Sequence, residues 1–370
     1  MSNEHALYYR IYRQLSVEIQ TGTFDDAGKL PPETALAERF CVARITIRKA
    51  LELLAEDGLI TRFPKRGSCL TKQRADGDFG CKEAGQTIGL LMGGYARGFG
   101  YTLLSSILER CNSLGLDLVL KQSKNNQKEE ESILRSIRRG QLTGLIVQPV
   151  TGENYNPLLV SLSLTGFPIV MLDRYLPGID ASYVGTDNYA ASYLATKKII
   201  EKKHENIALL SLTDEKTSSV KERIDGFISA CSKYHIPVHY DLWQSCLRET
   251  ESDLEENRRH YAVQIRAHLM SHPQITAIFG TESIIAEAAI EAARSLHLRV
   301  PEDLSVVCFD PPEKATNVCN IQQDERKIGI RAVDLLYDLL QGNTEHHFER
   351  IPASWHDGST LTEAKTNSRI

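Results

Sequence analysis

From Thr87 onward, short apolar runs alternate with amphipathic stretches of helical length, and this alternation constrains the fold more than any other feature of the chain. "TIGLLMG" leads into a helix-length stretch over 103–114, and "DLVLKQS" into a charged one over 128–139. "GLIVQPV", "PIVMLDR", "NIALLSL", "TAIFGT" and "LSVVCFD" continue the series. A strand covered by helices on both faces is apolar along its whole length, and a parallel neighbour needs a crossover, so the pattern predicts βαβ units. The run is long for one sheet. It predicts an α/β body of two lobes, each a doubly wound parallel sheet, with a cleft between them, over residues 87–362 and with a tail at 363–370. "MGGYARGFG" lacks the Gly-x-Gly-x-x-Gly register of a dinucleotide site, and no Walker loop occurs. No cofactor is expected.

Residues 1–72 have a different texture. Leu7, Ile11, Leu15 and Ile19 recur at every fourth position and predict a helix stopped by "TGTF" at Gly22. Pro31 and Pro32 give an extended entry to a short helix over 33–40, with Leu36 and Phe40 facing inward. In a third helix Ile47, Leu51 and Leu54 face inward, Arg44 and Arg48 share an outward face flanked by Thr46 and Lys49, and Gly58 closes the end. Cations at a helix N-terminus oppose the macrodipole, and a phosphate bound there relieves the conflict. "LITRFPKRGSCLT" then reads as two strands, with Ile60 and Phe63 in the first and Leu70 in the second. Pro64, Lys65, Arg66 and Gly67 make the tip between them. Such a hairpin after a helix-turn-helix is a winged helix, whose third helix enters the DNA major groove while the tip reaches phosphates or the minor groove. The polar stretch over 73–86, with its glycines and no period, reads as a linker.

Charge divides the same way. The chain of 370 residues carries a formal −5, yet its first 75 residues are net positive, which points to a polyanion as the partner of the head. Eight cysteines (Cys41, Cys69, Cys81, Cys111, Cys231, Cys246, Cys308 and Cys319) form no Cys-x-x-Cys pair and read as reduced thiols, with no metal site. No signal-peptide run or membrane span is visible, so a cytoplasmic location and no membrane partner are expected.

"KLPPETALAERFCVARITIRKALELLAEDGLITRFPKRGS" resembles the DNA-binding head of the GntR family. The shared features are a Leu-Pro-x-Glu entry, an Arg-x-Thr-x-Arg-x-Ala-Leu recognition helix, a Gly-Leu-Ile strand and a wing. The resemblance implies DNA contacts at Thr34, Arg44, Thr46, Arg48 and Lys49, and at Lys65, Arg66 and Gly67 in the wing. Ala43 departs from the usual Ser or Thr and removes a helix cap. Lys65 stands where the first wing glycine is usual.

The body resembles the effector domain of the LacI/GalR family. The markers are Asp173-Arg174, Val184-Gly185-Thr186-Asp187-Asn188, the Arg223-x-x-Gly226-Phe227 step, the strand ending at Asp310, and "IQQDERKIGIRAVDLL". The resemblance implies a periplasmic-binding-protein-like fold, with two lobes joined by three crossovers and a small ligand between them. A GntR head on a LacI-type body resembles the arabinose-repressor subfamily of Gram-positive bacteria.

A sugar site needs forked donors, carboxylate acceptors and an aromatic platform. Arg223 and Asp310 fit as the main clamps, each with a structural ion pair as the alternative reading. Arg174 either joins them or stabilises a crossover, and Glu282 stands where the family usually has Asn. Phe99, Tyr101 and Trp243 are candidate stacking rings, or core residues. Tyr95 and Gln148 lie on strand-end loops. Asp187 with Asp173, or Glu282 with Asp310, can be named as acid–base pairs, but no nucleophile elbow or metal-hydrolase motif accompanies them, so no enzyme is expected. The expectation is a homodimeric transcriptional regulator, by family analogy a repressor of carbohydrate-utilisation genes. It binds a double-stranded operator and is released by a sugar, with L-arabinose and other pentoses as candidates. The rivals are a sugar-binding protein and a sugar-modifying enzyme with an unrelated N-terminal domain.

Overall fold

The computed structural model describes residues 7–20, 30–56, 59–63, 67–70, 86–94, 100–139, 142–150, 155–212, 217–244, 254–314 and 317–365, which fall in two compact units, 1–84 and 85–370. The stops at Gly22 and Gly58, the tip residues Pro64, Lys65 and Arg66, and the linker up to residue 85 lie outside the described residues.

The first unit has α1 (Leu7–Gln20), α2 (Glu33–Arg39), α3 (Arg44–Glu56), β1 (Ile60–Phe63) and β2 (Gly67–Leu70). Ile11 and Leu15 of α1, Leu36 of α2, and Ile47, Leu51 and Leu54 of α3 are all buried and meet in one core, while Leu7 stays exposed. The period-four stripes thus fold as helices because each has one apolar face to bury. A bidentate Arg39–Glu18 pair, at 2.8 and 2.6 Å, ties α2 to α1. Cys41, with φ 50°, makes the left-handed turn between α2 and α3, a position that usually favours glycine. The hairpin is antiparallel, with Ile60 opposite Leu70 and Phe63 opposite Gly67. Gly67 therefore belongs to the second strand rather than to the tip.

The second unit contains two sheets. The first has the order β12-β7-β6-β5-β3-β4, with β3 (Thr87–Met92), β4 (Asp117–Gln122), β5 (Gly144–Val147), β6 (Ile169–Leu172), β7 (Ser182–Thr186) and β12 (Phe348–Ile351), all parallel. α4 (Tyr101–Leu114) and α11 (Glu325–Leu340) cover one face, and α5 (Gln127–Arg139) and α6 (Pro157–Leu164) the other. The second sheet runs β13-β11-β10-β9-β8, with β8 (Ile207–Leu210), β9 (Ala277–Gly280), β10 (Ser305–Phe309), β11 (Cys319–Gln322) and β13 (Ser354–His356). α7 (Asn188–Glu201) and α8 (Ser218–Lys233) cover one face, and α9 (Leu254–Ser271) and α10 (Ser283–Ser295) the other. β13 pairs antiparallel with β11, so this sheet has one antiparallel edge.

The chain passes between the sheets three times: at Asp187 between β7 and α7, at 323–324 between β11 and α11, and at 352–353 between β12 and β13. Two of these passages end in capped helices. Asp187 accepts from the Ala190 N–H at 3.0 Å and Asp324 from the Lys327 N–H at 3.0 Å. Asp187 thus serves as an N-cap. Residues 363–365 are not a free tail: Ala364 donates to the Lys202 carbonyl at 2.8 Å, and Lys365 pairs with Asp303 at 2.5 Å.

Candidate ligand cleft and nucleic-acid interface

In the first unit, burial of Ile47, Leu51 and Leu54 turns the opposite face of α3 to solvent, where Arg44, Arg48 and Lys49 are exposed and Thr46 is half-buried. Arg48 lies 3.5 Å from Glu33, a loose surface pair worth little that leaves the guanidinium available. The Lys49 ammonium sits over the Tyr8 ring at 5.6 Å. Thr34 and Arg44 line one open groove at the α2–α3 turn, together with Val42 and Ala43. Ala43 supplies its carbonyl to the Thr46 N–H at 2.9 Å but has no side chain with which to cap the helix. Between the two arginines, Ile45 is 66 % exposed. Lys65 and Arg66 lie outside the described residues, and Gly67 begins β2.

In the second unit, the strand ends of both sheets carry an aspartate in the left-handed region. Asp173, with φ 63°, follows β6, and Asp310, with φ 61°, follows β10. Each donates its own N–H across to the neighbouring strand, Asp173 to Val184 and Asp310 to Ile321, at 2.9 and 2.8 Å. Each carboxylate is also held by a glutamine amide. Gln148 Nε2 donates to Asp173 at 2.8 Å, and its Oε1 accepts from the Gly93 N–H at 3.1 Å. Gln323 Nε2 donates to both Asp310 oxygens at 3.0 and 2.9 Å, and its Oε1 accepts from the Thr186 hydroxyl. Non-glycine residues at such backbone angles are strained and cluster at functional sites.

Arg223 is buried in the first half of α8. Its Nε donates to Asn188 at 2.8 Å and Nη1 to the Thr281 carbonyl at 2.6 Å. The guanidinium lies over the Phe309 ring at 3.9 Å. Among the described residues Nη2 makes no hydrogen bond. Arg174 pairs with Asp173 at 3.5 Å and reaches Asn125 at 3.5 Å, but its buried Nε has no hydrogen-bond partner. Glu282 precedes α10 and accepts from the Leu212 N–H at 3.3 Å and the Thr281 hydroxyl at 2.5 Å.

The charges of both lobes act on one another here. Burial pushes the Asp310 carboxyl up to about 7; Arg223 and the Gln323 bond pull it down, and Glu325 and Asp173 push it further up. Burial likewise raises Glu282, opposed chiefly by Arg223 and more weakly by Arg174. Glu325 is raised by burial too, against the N–H groups of Leu103 and Gly100, which donate to it at 2.9 Å each. Carboxylates shifted by desolvation next to fixed cations are a mark of binding sites. The arrangement offers acceptors from both sheets and one forked donor lying on an aromatic face. That set matches adjacent hydroxyls on a compact polar ring.

The fold therefore brings Arg174, Arg223, Glu282 and Asp310 into one electrostatic neighbourhood. Trp243 lies elsewhere: it packs edge-on against Phe227 at 5.6 Å and beside Tyr240 at 4.7 Å. Phe227, Phe279 and Phe309 then form a row at 6.4 and 6.0 Å, so Trp243 stands at the far end of an aromatic row that finishes under Arg223. Tyr101 opens α4 and is exposed, while Tyr95 and Phe99 lie outside the described residues. Asn125 carried no signal in the sequence, whereas Asn188, Gln323 and Glu325 lay in stretches that served only as family markers, with no contact expected of them.

Residues 7–70 match the bacterial regulatory proteins of the gntR family, and residues 196–361 match the periplasmic binding protein-like domain. The chain is a GntR-type head on a periplasmic-binding-protein-like body. It is 25 % identical over 348 residues to the arabinose metabolism transcriptional repressor of Halalkalibacterium halodurans, covering 90 % of this chain and 89 % of the relative. The repressor of the same name from Geobacillus stearothermophilus is 24 % identical over 90 % of this chain and 91 % of its own length. Among solved structures, a LacI-family regulator from Enterococcus faecium with bound ribose is similar in fold, with a TM-score of 0.62 at 22 % identity, covering 76 % of this chain and 100 % of that one. A putative LacI regulator from Bacillus cereus gives a TM-score of 0.66 at 20 % identity, with the same coverage.

Proposed function

We propose that the protein is a transcriptional repressor whose GntR-type head holds a DNA operator and whose body releases it when a sugar occupies the cleft. The observation that carries this reading is the buried Asp310, within electrostatic reach of both Arg223 and the other lobe's Asp173, with Arg223 lying on the Phe309 ring. The names of the similar repressors and the ribose bound to a similar fold support a pentose, with L-arabinose as the first candidate. The relatives' names support a regulatory rather than catalytic role, and we propose a cytoplasmic homodimer on a pseudo-palindromic operator, as two-fold helix-turn-helix regulators bind. Among the described residues no helix is long and apolar enough to cross a membrane.

A thermal-shift screen of pentoses, hexoses and their phosphates tests the reading. A bound sugar at one hundred times its Kd stabilises by about 2.7 kcal/mol. One free pentose is expected to raise the melting temperature without being consumed. Turnover of that sugar would support the enzymatic rival, and a response confined to sugar phosphates would overturn the choice of ligand.

A further inference from the structure

We propose that Glu222 and Arg350 are positioning residues which hold the Arg223 clamp in place across the cleft. The proposal rests on the sugar reading of that cleft. Glu222 is the residue before Arg223 on α8, in the second lobe, and is buried. Arg350 is on β12, in the first lobe, and its Nη2 donates to Glu222 Oε1 at 2.8 Å. The Tyr175 hydroxyl, also from the first lobe, donates to the same oxygen at 3.2 Å. One turn earlier on α8, the Ser218 hydroxyl accepts from the Tyr175 N–H at 3.0 Å. Tyr175 is two residues from Asp173, so the contact joins the segment carrying one lobe's aspartate to the helix carrying the other lobe's arginine.

The first-lobe side of this contact is stiff. Tyr175, Tyr183 and Phe348 pack as an aromatic triad, with ring centroids 5.0, 4.8 and 4.4 Å apart. The Arg350 guanidinium lies over Phe348 at 4.8 Å. Arg350 is thus oriented by the ring beneath it, although its side chain keeps one side in solvent. On the second-lobe side, Glu222 Oε2 is buried with no hydrogen-bond partner. The burial of this carboxylate therefore depends on the bonds made by its other oxygen, and removing Arg350 takes away its paired cation and leaves only the Tyr175 hydroxyl. The lobe arrangement in which Asp173, Arg174, Arg223 and Asp310 converge is the one these bonds hold. A site that exists only in one arrangement binds with an affinity reduced by the fraction of time spent outside it.

The test compares Arg350→Met, Arg350→Lys, Glu222→Gln and the Glu222→Gln/Arg350→Met double variant in the full chain. Hydrogen exchange without ligand reads the contact, and calorimetric titration with L-arabinose and D-ribose reads the clamp. Arg350→Met is expected to speed exchange both around 173–176 and around 218–224, and to weaken sugar binding roughly tenfold, within the range of coupled sites. Arg350→Lys should restore part of both effects. The double variant should cost less than the sum of the single ones. Faster exchange confined to β12 would overturn the proposal, as would loosening of both segments with unchanged sugar affinity. If neither sugar binds the parent chain, the choice of ligand fails; the exchange arm still decides the contact, sustaining it if both segments loosen together and overturning it if they do not.

Discussion

Asp173 and Asp310 occupy matching places in the two lobes: each follows a central parallel strand, each has a φ near +60° (63° and 61°), and each carboxylate takes a hydrogen bond from a glutamine. The two lobes present the same device to the cleft from opposite sides. A ligand that bridges the aspartates contacts both sheets at once, so it favours one lobe arrangement over others. Only such a differential contact can move a conformational equilibrium.

Asp310 makes that device sensitive to pH. Its pKa is raised by burial from the ordinary 3.8 to about 7, so the folded chain holds this proton more tightly than the unfolded chain. The contribution to stability is full below the ordinary value and is lost as pH rises through about 7. Asp310→Asn removes the buried charge. The melting temperature of the ligand-free variant, measured relative to the parent, is expected to rise by several degrees between pH 5 and pH 8 while sugar binding is lost. An offset that stays constant across that range would show that Asp310 does not carry the shift.

Arg223 is expected to separate the two halves of the response. Arg223→Ala should keep operator affinity within about twofold and abolish release by sugar, because the forked donor on Phe309 disappears. The variant also strips Asn188 and the Thr281 carbonyl of their partner, so a loss of stability of about 1–3 kcal/mol should accompany it. Fluorescence anisotropy on labelled duplex reads the release, and normal release at the parent's sugar dose would remove Arg223 from the site.

On the head, Arg48→Ala should weaken operator binding by roughly tenfold or more if it holds a base, since one bidentate base contact is worth about 1–3 kcal/mol. Sugar binding should be unchanged. The exposed pair with Glu33 at 3.5 Å is too weak for its loss to unfold the head. Titration at several salt concentrations distinguishes the contact type: a phosphate contact lowers the salt dependence, whereas a base contact changes sequence preference. Unchanged affinity at every salt would count against α3 as the reading helix.

A packing prediction concerns Gly226. A Cβ there would lie 2.3 Å from the Tyr189 carbonyl and 3.0 Å from Ser192 Cβ, because α8 crosses α7 at backbone distance. Gly226→Ala should therefore cost about 1–3 kcal/mol of stability. Gly94→Ala, where nothing lies within 4 Å, is the neutral control. Equal melting temperatures for the two variants would mean that the helices can separate at little cost.

Much of this was legible because it depends on local pattern. The apolar runs gave the buried strands, and the period-four stripes gave α1 and the inward face of α3. The spacing of Arg44 and Arg48 placed both on the outward face that burial of Ile47 and Leu51 leaves exposed. Arg223 and Asp310 were singled out through the family resemblance as residues at or just after strand ends; Asp310 does follow β10, whereas Arg223 lies within α8. Their surroundings were not legible, because the partners are distant in sequence and chemically unremarkable amides and hydroxyls. Gln323 could not be distinguished from any surface glutamine until the third dimension put it between Asp310 and Thr186. The Glu222–Arg350 contact spans 128 positions and has no periodicity to betray it. Trp243 was ambiguous for the opposite reason: a ring that can stack on a sugar packs equally well on Phe227.

In the proposed regulator one chain reads DNA with its basic head and a sugar with its body, and the two are coupled. The most direct measurement titrates L-arabinose into a complex of the full chain with a duplex that the protein itself has selected from a random library, followed by anisotropy. A saturable release is expected, and the Arg223→Ala variant should fail to give it. Release that never occurs with any free pentose or hexose, although the sugar binds and the duplex is held, would contradict it.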